Sequence, residues 1–272
     1  MLGALIIVFR EVIEAGLIVG IILAVTKGVH GSRALVALGV AAGVAGACLV
    51  AAFAGFLAEA LAGIGQEVFN ASILLVAVAM LTWHNIWMAS HGRELAAQVK
   101  SVGSEVRAGT RSIAALGIVV AIAVMREGSE VALFLYGLMA SSGSTSVELF
   151  EGSALGLALG AGVTALTYFG LVTIPTRWLF RVTTVLIAFL AAGLASQAMV
   201  FLQQAGLVTV LENTAWNTSA ILSDSSLPGR VLHTLIGYAD QPSQLQVLVY
   251  AIVLFGGFAL SRLFAPAPPP PP

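Results

Sequence analysis

The sequence holds a single cysteine, Cys48, and only 9% charged residues in 272. One cysteine excludes an intrachain disulfide and any metal site built on several thiolates. Cys48 stands in an apolar run and is expected to fill core on a helix face. Soluble domains carry roughly 25% charged residues, so this chain lacks the polar surface that water requires. The same shortage excludes a disordered chain and a nucleic-acid binder. Basic and acidic residues nearly balance, 12 Lys+Arg against 13 Asp+Glu, so no net field gathers polyanions. No basic residue precedes Arg10, so the n-region of a cleavable signal peptide is missing and the first apolar run is expected to stay as a helix. What is plentiful is the opposite: 59% hydrophobic residues, 29 glycines and a mean hydropathy of +1.00. The expected solvent is the lipid bilayer.

Windows of about 20 apolar residues, enough to cross hydrocarbon, fall at roughly 2–26, 34–58, 68–90, 112–140, 148–173, 178–204 and 244–264. Nothing alternates as strands of a membrane barrel do. The expected fold is an all-α polytopic membrane protein with seven transmembrane helices in one domain over residues 1–264. Glycines recur at four-residue spacing, at Gly16 and Gly20, Gly39 and Gly43, and Gly152, Gly156 and Gly160. Small residues so spaced let helix backbones approach where lipid offers no hydrophobic drive, so packing is their expected role. With the N-terminus outside and the C-terminus inside, the inner segments hold Lys27, Arg33, Arg93, Lys100, Arg107, Arg111, Arg177, Arg181 and Arg262, and the outer ones only Arg230. That is a strong positive-inside bias. Most of the remaining acids, Glu59, Glu67, Glu148, Glu151, Glu212, Asp224 and Asp240, then lie outside, where they would attract cations. The outer connection, about 205–243, is long enough to suggest function or mobility. The Pro-rich tail 265–272 can adopt only extended polyproline structure and receives no role.

Six charged residues fall inside the apolar windows, as two copies of one motif. Arg10-Glu11-Val12-Ile13-Glu14 lies in the first window and Arg126-Glu127-Gly128-Ser129-Glu130 in the fourth. On a helix, residues three or four apart share a face, so each arginine reaches the second glutamate of its own motif. A charge at mid-bilayer costs roughly 2.5–3.5 kcal/mol, so six unpaired would cost on the order of 15–20 kcal/mol. They must face one another or water inside the protein. Salt bridges that lock helices together would pair one arginine with one glutamate and leave one carboxylate over in each copy. That surplus points to a cation site made by Glu11, Glu14, Glu127 and Glu130, with Arg10 and Arg126 as supporting charge. An all-oxygen ligand set suits hard or borderline divalent and trivalent cations and disfavours Cu(I), but does not by itself select iron. Such a site weakens as pH falls toward the glutamate pKa. Three windows separate the copies, so their helices cross in opposite directions. An inverted three-plus-three repeat, about 1–90 and 112–204 with the seventh helix extra, is the arrangement of alternating-access transporters with midplane sites.

At these residues the sequence resembles the oxidase-dependent high-affinity iron permeases, a family that includes fungal permeases and bacterial EfeU-type uptake permeases. Its hallmark is Arg-Glu-x-x-Glu in the first and fourth of seven transmembrane helices, and both copies stand here. The likeness runs through essentially the whole chain, including Leu81-Thr82-Trp83 to Trp87-Met88 and Leu222-Ser223-Asp224 to Gly237-Tyr238. The first copy departs from the family in having Val12-Ile13 where Gly-Leu is usual, at positions that supply no ligand. The resemblance implies import of iron ions, Fe2+ or Fe3+, across the cell inner (plasma) membrane, with iron as transported substrate and no tightly bound cofactor or catalytic residue. In bacteria it also implies two periplasmic partners, a cupredoxin-like protein and a haem peroxidase. A homo-oligomer is compatible with all of this.

Further candidates remain open between two readings. Glu148 and Glu151 either complement the dipole at a helix N-terminus or collect metal before it reaches the midplane. His84 and His91 flank Trp87, and either ligate metal or sit as polar anchors at the interface; at seven residues apart they cannot share one ion. Asp224, Glu212 and His233 of the outer connection could touch metal or a partner, and Gln197, Gln203 and Gln204 could hydrogen-bond across the bundle. The competing functions are transport of another divalent metal, such as lead or manganese, and an intramembrane carboxylate metalloenzyme. Di-iron carboxylate enzymes use Glu-x-x-His pairs, and no such histidine follows either motif.

Overall fold

The computed structural model describes residues 1–61, 65–142, 145–170 and 176–263; the Pro-rich tail lies outside them. It is all-helical, with α1 (Leu2–Val25), α2 (Ser32–Leu61), α3 (Gln66–Arg107), α4 (Ala114–Ser142), α5 (Ser146–Tyr168), α6 (Thr176–Gln204), α7 (Leu227–Ile236) and α8 (Gln244–Leu263). Among the described residues there is no strand, only an isolated bridge between Thr214 and Ser243. Among the described residues, each of the seven apolar windows coincides with a helix, to within a few residues at the ends. Five of these helices, α2, α3, α5, α6 and α8, contain stretches long and apolar enough to cross a membrane. At 24 and 29 residues α1 and α4 match them in length. What sets these two apart is that each carries three charged residues, Arg10, Glu11 and Glu14 or Arg126, Glu127 and Glu130.

The chain forms two compact units. The first comprises Met1–Gly63, Glu94–Met139 and Gly143–Thr183, and the second Ile64–Arg93, Ala140–Ser142 and Thr184–Pro272. In the first unit the spaced glycines find their partners. A Cβ on Gly152 would meet the Met1 carbonyl, one on Gly156 would lie 2.6 Å from the Leu5 carbonyl oxygen, and one on Gly160 would lie 2.9 Å from Val12. Numbers rise together along both helices, so α1 and α5 run parallel at backbone contact. The second pair repeats the device. A Cβ on Gly39 would lie 2.5 Å from the Gly117 carbonyl oxygen, one on Gly43 2.7 Å from Val124 and one on Gly128 2.6 Å from Ala47, so α2 and α4 also run parallel. Only the turn 26–31 separates α1 from α2, and short connections join antiparallel neighbours. The two motif helices, α1 and α4, consequently run in opposite directions.

These notches have a measurable consequence. Gly156→Ala is expected to cost about 1–3 kcal/mol, because its methyl group has a carbonyl oxygen in its place and backbone cannot step aside. Gly20→Ala is the matched control, since nothing lies within 4 Å of that position, and alanine there gains roughly 0.5–1 kcal/mol of helix propensity. Thermal unfolding in detergent should move in opposite directions for the two variants.

α3 is longer than the apolar window in it. Its 42 residues continue to Arg107, well past the apolar window 68–90. The segment read from sequence as an inner loop is the last part of this helix. Val99, Gly103 and Val106 form a stripe: both valines join a core with Ile18, Ile22, Val36, Leu116 and Val120, and Gly103 abuts Val25. On the exposed side Glu105 accepts from Ser101 at 2.9 Å and from Arg111 at 3.1 Å. Those two bonds, Ser101 first, hold the Glu105 carboxyl below the ordinary glutamate value.

In the second unit the long outer connection is stitched rather than loose. Ala215 donates to the Pro242 carbonyl at 2.8 Å, Thr218 to that of Asp240 at 2.9 Å and Gln244 to that of Asn213 at 2.9 Å. Tyr238 donates to the Leu222 carbonyl at 2.7 Å, while its own carbonyl accepts from His233 Nδ1 at 2.7 Å. The helix α7 inside this segment is capped by Ser226, whose side chain accepts from Gly229, and ends at Gly237. That glycine has φ +68° and lies against Gly193 of α6, a close approach that a side chain at either position would block. Gln203 of α6 accepts from Ser243, just ahead of α8, at 3.2 Å.

Candidate metal centre

Both motifs lie near the middle of their helices, and in both the arginine folds along its own helix onto its own glutamates. Arg10 Nε meets Glu14 at 2.9 Å, one turn on, and its Nη1 meets Glu11 at 3.2 Å. Arg126 Nε meets Glu130 at 3.2 Å and stands 4.0 Å from Glu127. Each guanidinium is thus shared between two carboxylates, so the surplus is a net negative charge spread over each motif rather than one lone glutamate. The copies differ in cover: the Arg10 side chain is 2% exposed and that of Arg126 36%.

Three of the four glutamates converge. Glu11 of α1 and Glu127 and Glu130 of α4 each offer a carboxylate oxygen, all within 4.8 Å of one another. Glu14 lies close enough to act on Glu127 electrostatically but is held by Arg10. Glu127 Oε2 is buried and has no hydrogen-bond partner among the described residues. A buried carboxylate oxygen left so is strongly unfavourable unless something positive meets it. Calcium, magnesium, manganese and ferrous ions are all bound by such oxygen sets.

The model of the iron permease FTR1 family matches residues 1–265 of the chain. This chain belongs to the iron permease FTR1 family. It is 34% identical over 190 residues to the ferrous iron permease EfeU of Shigella flexneri, which covers 70% of this chain and 80% of that one. The ferrous iron permease EfeU of Escherichia coli O157:H7 is also 34% identical, over 70% of this chain and 68% of its own. No solved structure matches. The protein is therefore a membrane iron permease that imports iron, and its family is one of transporters, not enzymes.

The acids at the start of α5 fall elsewhere. Glu148 and Glu151 are exposed on the first turns of α5, where the Glu148 backbone N–H is capped by Thr145 Oγ1 at 3.3 Å. That is the arrangement expected of helix-terminal acids, and neither joins the buried carboxylates. In the second unit His84 is buried, whereas His91 is exposed and stacks on Trp87 with ring centroids 5.1 Å apart. Asp224 is half-buried, its backbone N–H donating to Asp240 Oδ2 at 3.3 Å. His233 is occupied by the Tyr238 carbonyl. Cys48 corrects an expectation: it is exposed, not core filler. It lines a groove of about 1030 Å³ between the α1–α5 and α2–α4 pairs. Helical periodicity shows which residues share a face of α2 but not that this face meets no partner helix, so the groove had no signal in sequence.

Proposed function

We propose that iron crosses at the convergence of Glu11, Glu127 and Glu130, with Glu14 joining as Arg10 releases it. The carrying observation is the approach of carboxylate oxygens from two different helices to within 4.8 Å of one another in a buried place. Arg10 and Arg126 pair with the glutamates between cargoes and yield them to the cation. The relatives named as ferrous iron permeases favour Fe2+ as the species bound.

In this reading seven helices span the cell inner membrane, the N-terminus faces outward, and residues 1–90 and 112–204 form an inverted repeat. The helix pairing supports it. Exchanging the halves takes α1 to α4 and α5 to α2, which converts one parallel glycine-notched pair into the other. Iron would gather on the outer acids, Glu148 and Glu151 among them, and leave inward as the repeats rock. His84 and Asp224 stand as further ligands along the route. A cupredoxin-like protein and a haem peroxidase would manage iron redox state outside, and the permease would assemble as a homo-oligomer. The test is uptake of labelled iron into vesicles. Glu14→Ala and Glu130→Ala should each abolish it while the protein stays in the membrane, and excess lead or manganese should compete poorly. Unchanged uptake in both variants would sink the proposal.

A further inference from the structure

The last part of α3 belongs to the first unit and carries two unlike outer faces. Between them Val99, Gly103 and Val106 turn inward, onto the ends of α1, α2 and α4. One outer face holds Glu94, Gln98, Ser101 and Glu105, and its acids are met locally. Gln98 donates to Glu94 at 3.3 Å, while Ser101 and Arg111 donate to Glu105. The other face holds Lys100 and Arg107, two helical turns apart. Two more cations flank the same core. Lys27 follows Thr26, which lies 3.8 Å from a Cβ built on Gly103, and Arg33 stands two residues after Gly31, whose Cβ would lie 3.8 Å from Ile113. Lys27, Arg33, Lys100 and Arg107 are all exposed, and among the described residues none of them pairs with an acid. Residues 26–36 and 94–116, which build this end, contain no acid besides Glu94 and Glu105.

The depth of these cations in the membrane follows from α2. Its apolar span begins at Ser32, so Arg33 stands at the boundary between headgroups and hydrocarbon. α4 packs against that span from Gly117 onward, and the α3 segment packs against both. Clustered cations with no acid among them repel one another, and a multiply charged anion relieves that repulsion. Lipid phosphates are held at this depth, and basic pockets between helix ends suit headgroups with several phosphate charges. The arginines add planar, two-pronged donors that fit phosphate oxygens. Just inside the boundary, Leu38 of α2 and Ile118 of α4 are exposed and offer apolar surface to acyl chains. We infer that the ends of α1 and α3 and the starts of α2 and α4 form a binding site for a phospholipid whose headgroup carries two phosphates. Lys27, Arg33, Lys100 and Arg107 hold the headgroup. A lipid seated there ties together four helix ends that would otherwise repel, and so stabilises the first unit. None of the four cations belongs to the carboxylate cluster, so the site does not depend on where iron crosses.

The test measures Tm of the full-length protein in detergent micelles that carry diphosphatidylglycerol, phosphatidylglycerol or phosphatidylcholine. Soluble pyrophosphate is the fourth arm, and separates a lipid site from a site for free phosphate. Diphosphatidylglycerol at saturation should raise Tm by about 5 °C over phosphatidylcholine. Phosphatidylglycerol should give a smaller rise and pyrophosphate none. At about 1 M salt, where exposed charges are screened within roughly 3 Å, the rise should fall by at least about half. Lys100→Gln with Arg107→Gln should remove most of it, and so should Lys27→Gln with Arg33→Gln. All four side chains are exposed, so both double variants should fold. Arg230→Gln with Arg262→Gln deletes the same charge from exposed positions elsewhere and should keep the rise. An equal rise with phosphatidylglycerol, phosphatidylcholine or pyrophosphate would overturn the inference. So would a rise that survives in both double variants or is lost equally in the Arg230 and Arg262 control. Iron uptake that survives Glu14→Ala and Glu130→Ala condemns the iron site alone and leaves these outcomes unchanged.

Discussion

Glu127→Gln should lower iron uptake by about 100-fold or more while making the empty protein more stable. The first half follows from ligand chemistry. Losing a group that merely orients a metal ligand costs about 10–100-fold, and Glu127 supplies an oxygen to the cluster itself. The second half follows from burial. Glu127 is 3% exposed, with Oε2 unpartnered among the described residues, and burying a charge near like charges is unfavourable. An amide of the same shape removes the charge, so Tm should rise by about 2–4 °C for each kcal/mol regained. The sign carries the information. If the motif were a clamp that ties helices together, Glu127→Gln would destabilise the protein. Uptake and Tm measured on one preparation of the variant decide between the two.

The arginines should behave unequally although their motifs are copies. Arg10→Leu strands two buried carboxylates at once, those of Glu11 and Glu14, and removing one partner of a buried ion pair costs about 3–5 kcal/mol. Little folded protein is then expected from detergent extraction. Arg126 is more than a third uncovered and stands 4.0 Å from Glu127, so its loss should cost less than that of Arg10. Arg126→Leu should therefore fold and sediment as the parent does, with impaired uptake. Adding Glu14→Gln to Arg10→Leu should recover part of the lost stability, because one stranded charge is gone; the double-mutant cycle measures the coupling. Equal recoveries of folded Arg10→Leu and Arg126→Leu would show that the difference in burial carries no energy.

Much of this was legible in the residues. Hydropathy placed all seven apolar helices, since a bilayer demands length and composition above all else. Spacing within each motif predicted the Arg10–Glu14 and Arg126–Glu130 contacts, because i and i+4 positions meet on any helix. The glycine register identified interface faces at Gly43 and Gly156. It did not say that α1 would pair with α5 or α2 with α4, since one notch fits any partner of the right shape. Gly20, which shares the spacing of Gly16, faces open space instead. The extension of α3 to Arg107 was missed because its stripe of Val99, Gly103 and Val106 is short and lies among charges. That Glu11, Glu127 and Glu130 gather while Glu14 stays with Arg10 depends on how α1 and α4 are rotated, which spacing along a single helix does not contain.

The two notched pairs also divide the carboxylates between separate bodies. Glu11 rides on α1, keyed to α5; Glu127 and Glu130 ride on α4, keyed to α2. Carbonyl oxygens seated in the notches stop either pair from sliding internally, so the freedom left is the spacing between pairs. At the proposed site a cation would be held by Glu11 from one body and by Glu127 and Glu130 from the other, so it would tie the two pairs together when bound and leave them free to part once it has gone.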